Sequence, residues 1–337
     1  MPPIFANRYD IIGNLGQGGF GFVYRAHDLH LDRDVALKTF QRGWQLAAAT
    51  YEAQRLTSLE GPHILRVFNA DRYQDIPYLA TEVAALGSAM DFMQGRGVRP
   101  DLAIRWIRHM LIGLQVCHQH HLLHRDVKPG NVFLQSLDLA QLGDFGVSDV
   151  MDAAGRTQPH GSWQIRAPEA YTHNVMTVES DIYSTGLALY TMLTGIEPYL
   201  RSTPAEMQTA VIAQARPPIR DIAPHVPRVL VSRVERALST DPALRYPSAA
   251  AFHDDLGAIR HLANVFAPVL VHPGHLECWS GRAGTRELNV CVWAEGGGFE
   301  IEVRRSGGSH TRILDFCTHL PNQGRLRIEL RRIFDGL

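Results

Sequence analysis

The stretch "HRDVKPGN", residues 124–131, brings two basic side chains, a carboxylate and an amide into one short segment. Apolar runs flank it, "HLL" before and "VFL" after, so we expect a tight loop between buried strands. Ionisable groups that are half-buried without partners cost free energy. The segment therefore predicts a site at which Arg125, Asp126, Lys128 and Asn131 are used together.

The whole chain has 337 residues, of which 45% are hydrophobic and 20% are charged, enough for one large or two medium domains. The formal net charge is −1, which argues against nucleic-acid binding and against attraction to a membrane surface. The segment "MPPIFANRYD" does not resemble a signal peptide, and no stretch approaches the roughly 20 apolar residues of a membrane span. We therefore expect a soluble, cytoplasmic protein.

The four cysteines show neither a CxxC pair nor another spacing typical of metal ligands. A reduced, intracellular setting is the simplest interpretation, and the thiols are expected to be small core residues. They are Cys117, Cys278, Cys291 and Cys317.

Lysine is almost absent from the chain. Of the 33 basic residues, 31 are arginine, and the two lysines are Lys38 and Lys128. Arginine offers a broad planar fork, whereas lysine is a compact ammonium that approaches a single phosphate as a point charge. Two positions that keep lysine in such a chain are candidates for point-charge chemistry.

The N-terminal part predicts a sheet. Residues 8–40 alternate Val, Ile, Phe and Tyr with polar residues around a glycine cluster, a pattern typical of an antiparallel meander. "PYLATEV" (77–83) predicts a further strand, and residues 44–60 predict a helix.

Beyond residue 84 the apolar spacing becomes helical. One helix is predicted from Asp101, its expected N-cap, and another over the almost wholly apolar stretch from Ser180 to Leu193, which stops at Gly195. Further helices are predicted at 204–215, 228–239 and 248–262.

The texture changes again after residue 262. Residues 263–274 are predicted to be a linker, and 275–337 a small antiparallel β module with glycine turns. In "RLRIELRRIF", Leu326, Ile328 and Leu330 alternate with charged residues, so this segment is predicted to be a strand, as is "TRILDF".

Two motifs precede the loop. "GQGGFGFV" places glycines between two strands, where backbone N–H groups can approach phosphate oxygens, but a merely tight hairpin explains it about as well. Its position between two strands argues against a dinucleotide-binding fold. "VALK" ends at Lys38 on the next strand, and Glu52 is its candidate partner; a solvated Lys and a surface Glu are an equally good explanation of that pair alone.

Together with "GDFG" (143–146) and "APE" (167–169), these motifs resemble the eukaryotic-type protein kinases, in particular bacterial Ser/Thr members. The resemblance runs from about Arg8 to Leu262. It implies an α+β, bilobal protein-kinase fold over 8–262, with a β-rich N-lobe (8–84) and an α-helical C-lobe (85–262); the small C-terminal β module, predicted from its own pattern, lies outside the resemblance.

The resemblance implies ATP and Mg²⁺, with Mn²⁺ as an alternative, and protein substrates. Asp126 would accept the proton of the substrate hydroxyl, and Lys128 and Lys38 would hold phosphates. Asn131 and Asp144 would hold the metal. The residues implied to bind the nucleotide are Leu15, Gly16, Gly18, Gly21, Val23, Ala36, Lys38, Glu52, Thr81, Glu82, Ala84 and Phe133.

The same resemblance implies supporting and regulatory roles. Ser162 would contact Asp126 and Lys128, and Ile165 departs from the family's usual tyrosine. Glu169 is expected to pair with Arg245, and Asp181 to anchor the catalytic loop. The implied regulatory residues are Arg125, as a phosphate-binding arginine, and Thr157 and Ser148, as phosphorylation sites.

Other functions remain open at this point. The first alternative is a catalytically silent nucleotide-binding pseudokinase scaffold, and the second is a small-molecule phosphotransferase. Intact Lys38, Asp126 and Asp144 argue against the first. The activation segment that the resemblance implies, Asp144 to Glu169, is complete from Ser162 to Glu169, and together with the Asp181 helix it argues against the second. Residues 275–337 are expected to dock a substrate or regulator, or else to be a structural extension. Their nine Arg and eight Asp/Glu over 265–337 argue against nucleic acid.

Overall fold

The structure is a computed structural model that describes residues 4–18, 21–40, 59–145, 148–199, 203–259, 262, 264–306 and 311–337. An N-terminal sheet is followed by a helical body and a second sheet, so the predicted α+β, bilobal class with an additional C-terminal sheet is confirmed. The predicted helix at 44–60, and Glu52 with it, lies mostly outside the described residues.

The N-terminal sheet has six antiparallel strands in the order β1-β2-β3-β4-β6-β5. The strands are β1 (Ile4–Phe5), β2 (Tyr9–Gly18), β3 (Gly21–Asp28), β4 (Arg33–Phe40), β5 (Val67–Tyr73) and β6 (Ile76–Thr81). Pairing of β2 with β3 ends at Gly18 opposite Gly21, so the glycine cluster lies at the tip of a hairpin, as predicted. A Cβ on Gly21 would lie 1.8 Å from the carbonyl oxygen of Thr39, so only glycine fits there.

The helical body surrounds one long buried helix. The helices are α1 (Ala89–Met93), α2 (Pro100–Gln119), α3 (Pro168–Thr172), α4 (Val178–Thr194), α5 (Pro204–Ile212), α6 (Ile219–Ile222), α7 (Arg228–Ala237) and α8 (Ala249–Gly257). Helix α4 is buried nearly all round and ends at Gly195, which has the left-handed backbone (φ +81°) of a helix terminus. No helix in the described ranges combines the length and the apolar character that crossing a bilayer requires.

Helix α2 begins earlier than predicted. Pro100 occupies its first turn and Arg99 its N-cap, whereas Asp101 was expected as the cap. Proline suits the first helical position because the N–H it lacks would have no partner there. Asp101 lies in the first turn instead, where its carboxylate pairs with Arg99 at 2.7 Å.

Two short ladders complete the helical body around the loop at 124–131. Strands β8 (Val132–Ser136) and β9 (Leu139–Leu142) form one hairpin, and β7 (Leu122–Leu123) pairs with β10 (Asp149–Val150). The loop thus leaves one ladder and enters the other, which confirms the predicted placement between buried strands.

The C-terminal module is a five-stranded antiparallel sheet covered by a helix. Its strands are β11 (Asn264–Pro268), β12 (Glu277–Ala283), β13 (Arg286–Glu295), β14 (Gly298–Arg305) and β15 (Thr318–Leu320), and its helix is α9 (Gln323–Gly336). The linker predicted at 263–274 is therefore wrong in part, because β11 belongs to the module's sheet. "TRILDF" is also not a strand; it contains a 3₁₀ turn at Leu314–Phe316.

The strand predicted over 325–334 is wrong. Leu326, Leu330, Ile333 and Phe334 are buried in the module core, at the spacing of one helix face, while Ile328 is 61% exposed. The Asn322 side chain caps the helix by accepting from the Arg325 N–H at 3.0 Å.

Helix α9 also joins the module to the helical body. Asp335 accepts from Arg220 at 2.7 Å and 3.0 Å, and from Arg228 at 3.2 Å. His225 is buried against Trp279 and Phe334 of the module. Charged contacts at the rim and aromatic contacts inside hold the two units together.

Candidate active site

A cleft of about 410 Å³ lies between the N-terminal sheet and the helical body. The structure brings most of the predicted nucleotide and metal residues to it: Leu15, Gly16, Val23, Ala36, Lys38, Thr81, Glu82, Ala84, Asn131, Phe133 and Asp144. Gly18 and Gly21 form the tip of the adjacent hairpin.

Sequence reasoning missed a second group of lining residues. Leu65, Val67 and Leu79 contribute apolar surface, and Val83, Met90 and Phe145 complete the walls. Val67 and Leu79 lie on strands and look like ordinary core positions in the sequence. For Leu79 the sequence offered one signal, its position two residues before Thr81. Val67 lies opposite Thr81 only in the sheet, so nothing in the sequence indicated it.

Lys38 projects from β4 into the cleft and forms an ion pair with Asp144. The Lys38 side chain is 14% exposed and that of Asp144 25%, so the pair is partly screened from water. Asp144 has φ +59°, a left-handed conformation that is unusual for a non-glycine residue. Such strain, about 1–3 kcal/mol, is typical of positions where the surrounding structure fixes a functional side chain.

The loop at 124–131 is anchored by Asp181, which lies on the buried helix α4. The Asp181 carboxylate accepts from the backbone N–H groups of His124 (3.0 Å) and Arg125 (2.9 Å) and bonds the His118 ring at 2.9 Å. Burial would raise the pKa of Asp181, but these hydrogen bonds outweigh burial and lower it. The predicted anchoring role is confirmed.

His124 connects this loop to the "GDFG" segment. Its Nε2 lies 3.1 Å from the Gly143 carbonyl oxygen, and its Nδ1 lies 3.3 Å from the Asp126 N–H. The ring also contacts Phe145, with centroids 5.2 Å apart. Because a carbonyl oxygen can only accept, Nε2 donates to Gly143 while Nδ1 accepts from the Asp126 N–H, and the ring thereby fixes the spacing between Asp126 and Asp144.

Asp126 is the most constrained carboxylate of the site. Its Oδ2 lies 2.8 Å from the Lys128 ammonium and 2.9 Å from the Asn131 amide nitrogen, and its Oδ1 accepts from the Ser162 N–H at 3.0 Å. Burial alone would raise the pKa of Asp126, but the Lys128 charge and the Ser162 bonds outweigh it and lower the pKa. The group is therefore ionised at neutral pH and can accept a hydroxyl proton.

Lys128 faces a second cavity of about 280 Å³ beside the cleft. Its ammonium donates to Ser162 Oγ at 2.9 Å, so the predicted contacts of Ser162 are confirmed. Ile165 lines the same cavity, and Met90 and Gly130 line both cavities. A nucleotide phosphate in one cavity and a hydroxyl in the other would meet near Asp126.

Asn131 and Asp144 fit a divalent cation. The Asn131 amide nitrogen is committed to the carbonyl (2.7 Å) and carboxylate (2.9 Å) oxygens of Asp126, which leaves its oxygen for a ligand. Both residues line the cleft, and amide and carboxylate oxygens are the donors that hard divalent cations prefer. A cation held there would neutralise phosphate charge.

The activation segment rests on a buried ion pair. Arg245 donates to both carboxylate oxygens of Glu169 at 2.8 Å, as predicted. Burial would raise the pKa of Glu169, but its hydrogen bonds and ion pair with Arg245 outweigh burial and lower it.

The predicted regulatory residues lie around this segment. Arg125 donates to Asp149 and to the Gln158 carbonyl, both at 2.9 Å. Thr157 is buried, and in the described part of the chain its hydroxyl has no hydrogen-bond partner. Ser148 is buried and donates to the His124 carbonyl at 3.4 Å.

Comparison with known proteins agrees with this geometry. A family model described as "Protein kinase domain" matches residues 9–255. The chain is 30% identical to the probable serine/threonine-protein kinase PknB of Lactococcus lactis, over 75% of this chain and 42% of that protein. It is 26% identical to the serine/threonine-protein kinase PrkC of Bacillus subtilis, over 74% and 40%. The chain thus spans about two fifths of the length of these curated relatives.

Proposed function

The chain belongs to the protein kinase family, and from that premise we propose that it transfers the γ-phosphate of ATP to Ser and Thr hydroxyls of proteins. Members of this family use ATP, a divalent metal and protein substrates. The observation that carries the proposal is the position of Asp126, an ionised carboxylate bonded to Lys128, Asn131 and Ser162 between two adjoining cavities.

Each residue has a task in this proposal. The Asp126 carboxylate orients the substrate hydroxyl and takes its proton, and the Lys128 ammonium stabilises the transferring phosphoryl group. Lys38 holds the nucleotide phosphates from the opposite wall of the cleft. These groups are fixed before the substrate arrives, so little reorganisation is needed during transfer.

Ser and Thr are the proposed acceptors for two reasons. The relatives are named serine/threonine-protein kinases. In addition, Lys128 lies two residues after Asp126 and donates to Ser162 Oγ, which resembles the arrangement of Ser/Thr-directed enzymes.

Mg²⁺ is the proposed cation, with Mn²⁺ as the alternative. Asn131 and Asp144 offer only oxygen donors, and few of them, which suits a cation that keeps several waters and shares phosphate oxygens.

The test is incorporation of labelled phosphate. The purified chain is incubated with γ-labelled ATP and Mg²⁺, alone and with a basic protein, and the labelled residues are identified after hydrolysis. We expect label on Ser and Thr, and none with Asp126→Asn. The matched control is Asp138→Asn, because Asp138 is an exposed aspartate paired only at the surface with Arg105. Nucleotide binding without transfer would instead support a pseudokinase scaffold.

We further propose that Thr157 is autophosphorylated. Arg125 already reaches the carbonyl of Gln158, the next residue, so a phosphate on an outward-turned Thr157 would find this guanidinium nearby. The wild type should then show a lag while it phosphorylates itself, whereas Thr157→Ala should show no lag and lower activity. Ser148→Ala, at the second candidate position, is assayed beside it. A Thr157→Ala variant that is fully active without a lag would contradict this role.

Residues 275–337 are proposed to dock a substrate or regulator. Helix α9 uses one face against the helical body, and Ile328 is exposed on the remainder. Deleting 265–337 should lower phosphorylation in cell lysate but spare a generic peptide. If the deletion lowered phosphorylation of lysate proteins and of the peptide equally, residues 275–337 would be a purely structural extension.

A further inference from the structure

Four side chains in the module converge at one point. They are His272, His275, Cys278 and Cys291, whose candidate ligand atoms all lie within 4.8 Å of one another. The His275 Nδ1 lies 3.3 Å from the Cys278 sulfur, and the His272 Nδ1 lies 3.5 Å from both sulfurs.

These separations match a tetrahedral zinc site. With zinc–sulfur bonds of about 2.3 Å and zinc–nitrogen bonds of about 2.0–2.1 Å, a tetrahedron has nitrogen–sulfur edges of about 3.6 Å. The three nitrogen–sulfur distances at this cluster are 3.3, 3.5 and 3.5 Å. The ligand atoms are thus spaced so that one ion would reach all of them.

The local backbone explains how the two imidazoles meet. In "HPGH" the His275 N–H donates to the His272 carbonyl at 3.0 Å, which closes a tight turn. Pro273 occupies the second position and Gly274, with φ +83°, the third, as a type II turn requires. The turn brings both imidazoles to the same side, with ring centroids 5.3 Å apart.

The two thiols are positioned by strand register. Cys278 at the start of β12 lies directly opposite Cys291 on β13, and direct cross-strand partners project from the same face. Cys278 is 2% and Cys291 8% exposed, so the sulfurs lie under the surface while His272 is exposed. The His275 ring stacks on Trp293 at 5.2 Å, which restricts its orientation.

We propose that His272, His275, Cys278 and Cys291 bind one zinc ion as a closed, structural site. Two thiolates and two imidazoles are a donor set that zinc favours, and their two negative charges balance those of the ion. Four protein ligands leave no open position for catalysis. This site differs in kind from the oxygen donors Asn131 and Asp144, which suit a hard cation.

The site would fix the segment that leads from the helical body into the module's hairpin. Val271, Leu276 and Cys278 line a small cavity together with Gly97 and Leu193 of the helical body. Zinc binding would therefore stabilise both the β12–β13 hairpin and its contact with the C-lobe.

Zinc content of the full chain tests the proposal. The protein is purified under reducing conditions without chelators and analysed by elemental mass spectrometry. We expect about one zinc per chain in the wild type and near zero in Cys278→Ser and Cys291→Ser. Cys317→Ser is the control, because Cys317 lies outside the cluster and its thiol donates to a backbone carbonyl.

Two further measurements keep the proposal testable if the cysteine variants fail to fold. His272→Ala changes an exposed ligand and should lower zinc content, whereas His319→Ala, an exposed histidine paired with Glu300, should not. Replacement of zinc by Co²⁺ in the wild type should give the visible bands of a tetrahedral ion and thiolate-to-cobalt charge transfer. The proposal would be overturned if the folded wild type contained no zinc and showed no cobalt bands after Co²⁺ addition, or if Cys278 and Cys291 formed a disulfide in the reduced preparation.

Discussion

Two buried ion pairs in the helical body have opposite designs. In Arg245–Glu169 the arginine side chain is 0% exposed, and its remaining donors bond the carbonyls of Ser239, Glu179 and Thr240. In Lys128–Asp126 the carboxylate is buried but the lysine side chain is 32% exposed and faces a cavity.

The difference separates a structural ion pair from one that the proposed function places at the reaction. A guanidinium bonded on every side holds two segments in one geometry and has nothing left for a ligand. A lysine that retains exposure can exchange its partners for a phosphate without breaking the fold. The two pairs should therefore respond differently to the same kind of mutation.

The largest expected effect is on phosphoryl transfer in Asp126→Asn. Loss of the proton acceptor should lower the initial rate by about 10²–10⁴-fold. The melting temperature should fall less than in Arg245→Met, because the introduced asparagine keeps an oxygen for the Ser162 N–H and the partly exposed Lys128 can turn toward water. Peptide assays and thermal melts measure the two quantities. A melting temperature that falls as far as in Arg245→Met, the variant described next, would contradict the difference proposed between the two ion pairs.

Arg245→Met should act on stability first. It leaves the Glu169 carboxylate buried without its cation, which should lower the free energy of unfolding by about 3–5 kcal/mol. Denaturant titration measures the loss. The control is Arg245→Met with Glu169→Leu, which removes both charges and should recover part of the stability. If the double variant is no better than the single one, the unpaired charge is not the cause.

His225 extends the comparison to a buried ionisable group that pairs with no carboxylate among the described residues. In the described ranges neither ring nitrogen has a hydrogen-bond partner, and burial, with the nearby Arg220 charge, lowers its pKa to about 3. Between pH 3 and the ordinary pKa of about 6.5 the unfolded chain binds a proton that the folded chain does not. Stability should therefore fall as the pH falls through this window, by up to about 1.4 kcal/mol per pH unit.

His225→Phe should remove this part of the acid sensitivity while keeping the contacts with Trp279 and Phe334. His109, with a pKa lowered to about 4 chiefly by burial, titrates in the same window and contributes a similar slope. The measurement is therefore the difference between variant and wild type in denaturant titrations at pH 7 and pH 5. The prediction would be contradicted if the wild type and His225→Phe lost the same free energy of unfolding between pH 7 and pH 5.

The smallest effect is expected for Lys128→Arg. The charge is kept, but a planar fork replaces the point charge beside Asp126 and Ser162. Activity should fall about tenfold, near 1.4 kcal/mol in the barrier, with an unchanged melting temperature. Steady-state kinetics at saturating ATP measure it. Full activity would mean that this position needs only a positive charge.

The helical body's site could be predicted closely because its chemistry is local in sequence. Arg125, Asp126, Lys128 and Asn131 lie within one loop, and each contact expected of Asp181, Ser162 and Glu169 is present. The apolar walls at Leu65, Val67 and Leu79 could not be distinguished from ordinary core residues, since burial gives both the same composition.

The module resisted prediction because its organisation depends on long-range contacts. Leu326, Ile328 and Leu330 fit a period of two, but Leu326, Leu330, Ile333 and Phe334 fit one helix face equally well, and their burial in the module core decides for the helix. The signal available was Asn322 as a helix N-cap, which resembled a turn residue. Cys278 and Cys291 have no metal spacing along the chain; the strand register brings them together.

The scarcity of lysine has a practical consequence for chemistry on this protein. Its two lysine side chains flank the proposed reaction centre, 14% and 32% exposed, while the remaining 31 of its 33 Lys and Arg side chains are guanidinium groups that acylating reagents leave untouched. An amine-directed probe therefore reports on the cleft with almost no side-chain background. Protection of Lys38 from acylation would give the fraction of molecules with a ligand bound, without any radioactive or fluorescent nucleotide.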